Sequence, residues 1–414
     1  VNNPIHAFIL KILASAPTKE ELIAALQDLA TAPKGDDRIE PYIRSLYEIL
    51  CGKCGQKIEV DAFLWKKDQD QPFAALVECP YCGAIGEQLL TDEMLANLTP
   101  LPPKRLHQAR ALNRIVELND SLRPQVEHAL NAYPTRPLII LQTIINKLES
   151  LEQTPRRRDL LIALILSAAD RGNTLWAHPS PRNRPRQIVI PSVYQEKNLW
   201  KTMMEAVETW RGLEKPLPIA DWQGKTSQTT GIFLFQGRIK ELDTQQESSS
   251  FAAIAAAIPR PNQAFWTLSA LWTGWIWGRE AIAPIRQVLS RQRYDWNWHF
   301  NALKSVFDSL LSLHHPAQKS WGMIPENESM LLLAALLALN AAGFKLSTFA
   351  HSIDDQLAQC QWVADPNLPS KSQPDHLSEH TKTIITNYLQ QNGEPATYQQ
   401  IHTAVVSALA HESK

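Results

Sequence analysis

The sequence Cys51-Gly-Lys-Cys54-Gly55 is followed, after 24 residues counted from Cys54, by Cys79-Pro-Tyr-Cys82-Gly83. Each motif places two sulfurs on one tight turn, and the glycine after it permits the positive φ that such a turn needs. Four thiolates form a complete tetrahedral ligand set that leaves no position for water. The spacing therefore predicts a structural, non-catalytic zinc site at Cys51, Cys54, Cys79 and Cys82.

The segment between the two motifs predicts the fold around that zinc. Residues 57–65 alternate between apolar and polar types like a strand, and residues 73–78 have the composition of its return partner. This arrangement resembles a zinc ribbon. The competing interpretation is a pair of redox Cys-x-x-Cys motifs, but a motif of that kind normally stands alone at the start of a helix.

Length, charge and cysteine usage set the outer limits. A chain of 414 residues predicts two to four domains, and 41 basic against 42 acidic residues favour no class of partner. The longest apolar run, residues 330–344, is shorter than the roughly 18–20 residues of a membrane span, and the first residues do not resemble a signal peptide. Four of five cysteines lie in the two motifs, which indicates a reducing compartment, so we predict a cytoplasmic protein with no membrane partner.

Periodicity and punctuation divide the rest of the chain into helices and strands. Helices are predicted over residues 5–30, with a capping start at Thr18, and over 105–118, 122–132, 136–151, 159–169, 265–277, 294–313 and 331–340. Strands are predicted at 231–236, 251–258 and 344–350. A linker over 365–378 leads to two final helices, 380–391 and 398–410, which resemble the helical half of a winged-helix domain.

Four stretches carry a wider likeness: Asn3-Pro-Ile-His-Ala-Phe8, residues 58–65 inside the ribbon, residues 260–277, and residues 301–350. Together they resemble a family of bacterial DNA-methylase-like proteins. That family has the fold of S-adenosylmethionine-dependent DNA amino-methyltransferases, with a zinc ribbon and a helical insert between the cofactor and catalytic motifs. The resemblance implies an α/β protein: a partial Rossmann-like methyltransferase core with an inserted zinc ribbon and helical region, plus a C-terminal winged-helix-like unit.

The same resemblance implies five parts. They are an N-terminal helical part of the core over 1–45, the zinc ribbon over 46–90, a helical insert with an Arg-rich loop over 91–225, the C-terminal half of the core over 226–365, and the winged-helix-like unit over 376–414.

S-adenosylmethionine binding is implied only in part. Asn3 and Pro4 occupy the segment that follows the second Rossmann strand and are the implied cofactor-contacting residues. The family's Gly-rich turn would lie before Val1, and its ribose-binding acid corresponds at best to Val1 or Asn2. We therefore expect that an upstream segment or a partner chain would have to supply the missing cofactor motif.

The catalytic motif is degenerate. When the helix after the motif is aligned with the family through Ser269 and Leu271, the four-residue motif falls at Pro259-Arg260-Pro261-Asn262. The residue that should accept a hydrogen bond from the target amino group becomes Pro259, and the stacking aromatic becomes Asn262. Chemistry on an extruded base needs both a polar contact and an aromatic platform. The resemblance therefore implies a partial or decayed methylase.

Basic and aromatic residues are the candidates for nucleic-acid contact. Forked guanidinium donors suit phosphate, and they occur in a Pro- and Asn-rich loop and beside a Tyr/Trp pair, at Arg182, Arg184, Arg186, Arg291 and Arg293. A solvated loop is the competing interpretation. Most of the tryptophans after residue 265 are predicted to be core, but Trp266 adjoins the degenerate motif and is a candidate for base stacking. Arg156-Arg157-Arg158 opens a helix against its dipole, which hints at an external anion.

Three functions follow. The first is a DNA-methyltransferase-like, DNA-binding protein without methylation activity of its own. The second is an adenine-N6 or cytosine-N4 DNA methyltransferase completed by an N-terminal segment or a partner chain. The third is a structural subunit of a larger complex.

Overall fold

The computed structural model is a mixed α/β protein with small sheets. It describes residues 2–179, 186–222, 231–242, 253–260, 262–290, 295–312, 318–326, 328–352, 357–365 and 377–411. The chain divides into two compact units. The first consists of Val1–Gln236 and Asn262–Arg291, and the second of Gly237–Pro261 and Gln292–Lys414. No helix among the described residues is long and apolar enough to cross a membrane.

Helices make up most of the first unit. They are α1 Pro4–Ala14, α2 Lys19–Ala30, α3 Ile39–Ser45, α4 Asp92–Ala96, α5 Lys104–Ile115, α6 Arg123–Leu130, α7 Thr135–Ser150, α8 Pro155–Arg171, α9 Leu199–Trp210, α10 Gln263–Trp277 and α11 Arg286–Ser290, with a 3-10 helix over Arg279–Ile285. The predicted helices of the middle region are confirmed. The predicted cap at Thr18 is also confirmed, because its hydroxyl accepts from Glu21 N at 3.2 Å and its own N–H donates to the Glu21 carboxylate at 3.0 Å.

The core of this unit is built by α7, α8 and α10, which bury apolar residues around most of their circumference. Trp272 and Trp275 lie inside it, as predicted, and both satisfy their indole N–H groups. Trp272 Nε1 donates to Tyr133 Oη at 2.5 Å, and Trp275 Nε1 donates to Gln142 Oε1 at 2.9 Å. Paired indoles let the large rings be buried without the cost of an unsatisfied donor.

The strands of the first unit form small sheets. They are β1 Pro33–Lys34, β2 Asp37–Arg38, β3 Glu48–Leu50, β4 Lys57–Glu59, β5 Ala62–Lys66, β6 Ala74–Glu78, β7 Ile85–Leu89, β8 Val193–Lys197, β9 Ile219–Asp221 and β10 Ile232–Leu234. β1 pairs with β2 and β3 with β4, both antiparallel, and β9 pairs with β10 in parallel. The largest sheet is antiparallel, in the order β7-β6-β5-β8.

The predicted single strand over 57–65 is two strands. The chain changes partner at its centre, because Val60 N donates to Tyr47 O at 2.9 Å and Asp61 N donates to Leu76 O at 2.9 Å. β4 therefore pairs with β3, whereas β5 pairs with β6 on one side and with β8 on the other. β8 follows the helical region in sequence, so the ribbon's sheet is completed by a strand from outside the predicted ribbon.

The second unit contains one sheet and its covering helices. Its elements are a 3-10 helix Ile239–Glu241, β11 Ala253–Ala257, α12 Trp296–Ser312, β12 Lys319–Ile324, α13 Ser329–Ala341, β13 Phe344–Ser352, β14 Leu357–Ala364, α14 Leu377–Asn392 and α15 Tyr398–His411. The order is β11-β12-β14-β13, with β11 and β12 parallel and β14 antiparallel to both neighbours. The sequence did not predict β14.

The core of the second unit lies between this sheet and its helices. Phe307 of α12 packs edge-on against Phe344 and Trp362 of the sheet, at centroid distances of 6.4 and 6.1 Å. Val406 and Ala410 of α15 are buried in the same cluster. The two C-terminal helices are present as predicted, and their membership in a winged-helix domain stays a prediction.

Candidate metal centre and nucleic-acid residues

The four cysteine sulfurs lie together, all within 4.8 Å of one another. The shortest printed separations are 3.7 Å, between Cys51 and Cys82 and between Cys54 and Cys79. Four sulfurs about 2.3 Å from a tetrahedral zinc are roughly 3.8 Å apart. A disulfide would need about 2.05 Å. The four side chains therefore fit a zinc ion, and the predicted ligand set is brought together by the fold.

The backbone of each motif is built to aim its sulfurs inward. In the first motif Cys51 N donates to Gln56 O and Gly55 N donates to Cys51 O, both at 2.8 Å. The second motif repeats both bonds between equivalent residues, at 2.8 and 2.9 Å. Gly55 and Gly83 have φ values of 71° and 68°, where a side chain would be strained. A Cβ at either position would meet no atom within 4 Å, so crowding does not require glycine there. The positive φ is the reason for glycine at both positions.

The electrostatics of the cluster call for a cation. Backbone N–H groups of Lys53 and Cys54 lower the pKa of the Cys51 thiol to about 6. At Cys54 the N–H of Gln56 acts in the same direction, but burial and the neighbouring thiols outweigh it and raise the pKa to about 12. Four thiolates so close together therefore do not coexist without a compensating charge. A divalent metal supplies that charge and deprotonates its thiol ligands.

Gln88 of β7 holds the first motif in place, a role that the sequence analysis did not predict. Its Oε1 accepts from Gly52 N at 2.8 Å, and its Nε2 donates to Leu50 O at 3.1 Å. A Cβ at Gly52 would lie 3.2 Å from Gln88 Cδ, so a larger residue would require the glutamine side chain to shift by a few tenths of an ångström. The pairing of β7 with β6 brings Gln88 to this position, so a long-range contact determines its role.

A buried ion pair joins the ribbon's sheet to the helical region. Arg136 at the start of α7 pairs with Glu196 of β8, and their side chains are only 4% and 1% exposed. The guanidinium also lies over the rings of Phe63 and Tyr47, at 4.5 and 5.4 Å from the centroids. Burial raises the pKa of Tyr47 well above its ordinary value. This pair was not predicted from the sequence, since 60 residues separate its two members.

The three arginines that open α8 have partners within the protein. Arg156 Nε pairs with Glu21 at 2.6 Å, and Arg157 pairs with Asp28 at 3.2 Å. Arg158 donates to a backbone carbonyl at 2.6 Å. The hydrogen bond from Arg156 lowers the pKa of Glu21. The suggestion of an external anion at this helix start was therefore wrong: carboxylates of α2 supply the charge.

Of the predicted nucleic-acid residues, the structure places two near one another. Arg186 is exposed, and its carbonyl accepts from Ala264 N at 3.1 Å, which fixes it beside the first turn of α10. Trp266 is half-buried on that turn and lies edge-on to His6 at 6.2 Å. Four of the predicted residues lie outside the described part of the chain: Arg182, Arg184, Arg291 and Arg293.

The residues of the degenerate motif make structural contacts. Arg260 Nε pairs with Glu326 at 2.5 Å. Asn262 caps α10, its Oδ1 accepting from the backbone N–H three residues on at 2.8 Å. The ring of His299 donates to the Pro259 carbonyl, although burial, the larger effect, lowers the pKa of that histidine. Pro261 lies outside the described residues.

The implied cofactor residues begin α1. Asn3 is buried and caps the helix, its Oδ1 accepting from Ile5 N at 2.9 Å, and Pro4 is the first helical residue. Proline at this position costs no hydrogen bond. Asn3 Nδ2 is buried without a hydrogen-bond partner. A helix start accounts for both residues, and their contact with S-adenosylmethionine stays a prediction.

Comparison of the chain with known protein families, with curated proteins and with solved structures gives no match. The geometry of the described residues establishes a cluster of four cysteines able to hold a metal ion within a mixed α/β fold.

Proposed function

We propose that this protein binds DNA through a methyltransferase-like scaffold and does not transfer a methyl group by itself. The sheet of the second unit supports the choice of scaffold. Three strands run in one direction, and β14 enters antiparallel between β12 and β13. In a methyltransferase core, the fold that the resemblance implies, the last strand likewise inserts antiparallel between two parallel strands.

The loop after β11 supports the absence of transfer. An amino-methyltransferase needs a polar acceptor and an aromatic platform at this point. Here Arg260 is tied to Glu326 at 2.5 Å, and Asn262 serves as a helix cap. The carbonyl of Pro259 accepts from His299. These groups already have partners, and none offers an aromatic face to a base.

The tips of the two zinc motifs carry the proposal of DNA binding. The residues between each pair of cysteines are exposed, so the metal holds two short loops rigidly at the surface. Lys53 projects from one loop, and Tyr81 projects from the other with 66% of its surface exposed. A cation and an aromatic ring on rigid turns suit a phosphate and a base or sugar. Arg186, whose carbonyl accepts from Ala264 N, is a further exposed basic residue near the start of α10.

The test measures binding to a fluorescein-labelled DNA duplex of about 20 base pairs, with fluorescence anisotropy as the readout, at about 50 and 200 mM salt. We expect binding that weakens steeply with salt. Lys53→Gln and Tyr81→Ala should each weaken it, whereas Lys215→Gln, which removes an exposed cation elsewhere in the first unit, should not. Equal affinity of all variants, or no binding by the unaltered protein at low salt, would rule out this function.

A further inference from the structure

The sheet of the second unit has one covered face and one open face. Ile324, Cys360 and Trp362 point to the covered face, where they are buried among the helices. The residues that alternate with them point the other way and form rows across the strands, two of which surround the centre of the face. One row is Ala255, Trp321, Gln361 and Thr348, and the next is Ala257, Met323, Gln359 and Ala350.

This open face is apolar at its centre. Trp321 is 46% exposed and Met323 is 42% exposed, on adjacent rows of the same strand. A solvated sheet face normally carries polar residues, and parallel strands are normally covered on both faces. Adjacent exposed apolar side chains that are rimmed by polar residues are typical of a binding surface.

A groove on this face is lined by uncharged residues, whereas the next row of the sheet register includes Lys319 and Lys345. The groove has a volume of about 650 Å³, within the usual size range of ligand sites. None of the described residues that line it is charged. Among the described residues that line the groove itself, a phosphate or an acidic peptide would find no cation, and a basic peptide would find no carboxylate. The lining therefore selects for an uncharged group.

The polar groups in the groove point to a planar ligand with hydrogen-bonding edges. Thr348 Oγ1 donates to Gln361 Oε1 at 3.2 Å, which leaves the Nε2 donors of that amide for a ligand. Gln361 lies directly opposite Trp321 in the strand register, and Gln359 lies opposite Met323. Indole provides a stacking surface, and neighbouring amides reach the edge of a ring stacked upon it. Purines and pyrimidines combine an uncharged planar ring with such edges.

We propose that this groove, centred on Trp321, binds an unpaired nucleobase of a single-stranded nucleic acid. The choice of ligand class rests on the proposed nucleic-acid binding, but the site is in the other unit and uses different residues. The small side chains of Ala255 and Ala257 leave room beside the indole of Trp321. The nucleobase can therefore stack on the indole and lie flat against the sheet. Phosphates lie outside the groove and contribute no contact within it.

The experiment uses the full chain and three labelled oligonucleotides of about 12 residues, a length that suits sites of this kind. One is unstructured DNA, one is RNA of the same sequence, and one is DNA with abasic sites in place of every base. We expect tighter binding to the base-containing strands than to the abasic strand. DNA and RNA then reveal which sugar the site prefers.

Variants of the stacking residue make the test specific. Trp321→Ala should weaken binding to the base-containing strands by roughly 5- to 150-fold, which is the fold-change for loss of one stacked base. Trp321→Phe should retain most of the affinity. Gln361→Leu should weaken binding without removing the platform. Leu337→Ala, an exposed apolar residue on α13, is the matched control and should change nothing.

The outcomes separate this site from the proposed function. Equal affinity for abasic and base-containing strands, or unchanged binding by Trp321→Ala, overturns the site. Duplex binding without any single-strand binding overturns the site and leaves the proposed function in place. A change of oligomeric state in Trp321→Ala, with unchanged affinity, assigns the face to a second copy of the chain and overturns the site.

Discussion

Gln88 and Gly52 lie in direct contact across the zinc module, with 2.8 Å between the amide oxygen and the backbone nitrogen. The same side chain donates to Leu50 O, so one residue of β7 holds both sides of the first cysteine turn. A metal held by the four cysteines would thereby be coupled to strand pairing, so changes outside the four ligands should alter how the metal is held.

Gln88→Leu should loosen the first zinc turn without removing a ligand. Each lost hydrogen bond is worth about 0.5–1.5 kcal/mol, so the free energy of unfolding should fall by about 1–3 kcal/mol. Zinc transfer to a chromogenic chelator should be faster. Leu89→Ala, at an exposed position of the same strand, is the control and should behave like the unaltered protein. Identical transfer rates for both variants would contradict the coupling.

Cys79→Ser should remove zinc and much of the solubility. The unaltered protein should contain one zinc ion per chain by elemental analysis, since the four sulfurs form one cluster. A serine at one corner leaves three thiols and a poor fourth ligand. Cys360→Ser, at the remaining cysteine, should keep one zinc, because that thiol lies buried in the other unit beside Gly322 O. Full stability of Cys79→Ser without metal would refute a structural site.

Breaking the Arg136–Glu196 pair on one side should destabilise the first unit by about 3–5 kcal/mol, because an uncompensated charge remains buried. Arg136→Met and Glu196→Leu together should cost less than either change alone. Lys19→Ala breaks an exposed pair with Glu208 and should cost less than about 1 kcal/mol. Urea denaturation of the four variants gives these values. A double variant as unstable as the sum of the single ones would show that the two residues do not interact.

Acid should weaken the second unit through His299. Burial lowers the pKa of this histidine below its ordinary value of 6.5, so the unfolded chain takes up a proton more readily than the folded one. Stability should therefore fall as the pH drops below about 6.5 and continue falling toward the folded-state pKa. His351 and His402 add to this slope for the same reason. Loss of zinc at low pH would also lower the stability of the protein. The contribution of His299 is therefore measured by comparison with a variant that lacks this histidine.

His299→Gln removes one titrating group and should flatten the dependence of the melting temperature on pH between about 5 and 7. Glutamine retains a donor for the Pro259 carbonyl. The same slope in both proteins would mean that His299 does not contribute.

The chain alone should transfer no methyl group to DNA. Radiolabelled S-adenosylmethionine incubated with the protein and duplex DNA should leave no label in the DNA, because the degenerate motif offers neither acceptor nor platform. Calorimetry with the cofactor should show no heat of binding. Labelled DNA would instead favour the alternative of an active methyltransferase.

Local patterns in the sequence predicted much of this fold. The cysteine turns depend on neighbours within five residues, and the cap at Thr18 depends on Glu21, so both are visible in the sequence. The helical periodicity of apolar residues predicts the helices of the core. Zinc ligands could be predicted for the same reason, because each pair of sulfurs is set by one short turn.

Long-range pairing could not be predicted in this way. β8 joins β5 from the far side of the helical region, and β14 enters the other sheet between strands that precede it. Gln88 and Glu196 acquire their roles only from those pairings. The exposure of Trp321 depends on the register of four strands.

The closure of the ribbon's sheet by β8 has a consequence for the order of events during synthesis. Both cysteine turns and β7 leave the ribosome roughly 100 residues before β8 does, which at about 5–20 residues per second is a delay of roughly 5–20 s. During that time the zinc ligands are complete while one edge of β5 has no partner. If zinc binds as soon as its four ligands have emerged, metal loading precedes completion of the sheet, and the nascent chain then holds the metal while one strand edge is open.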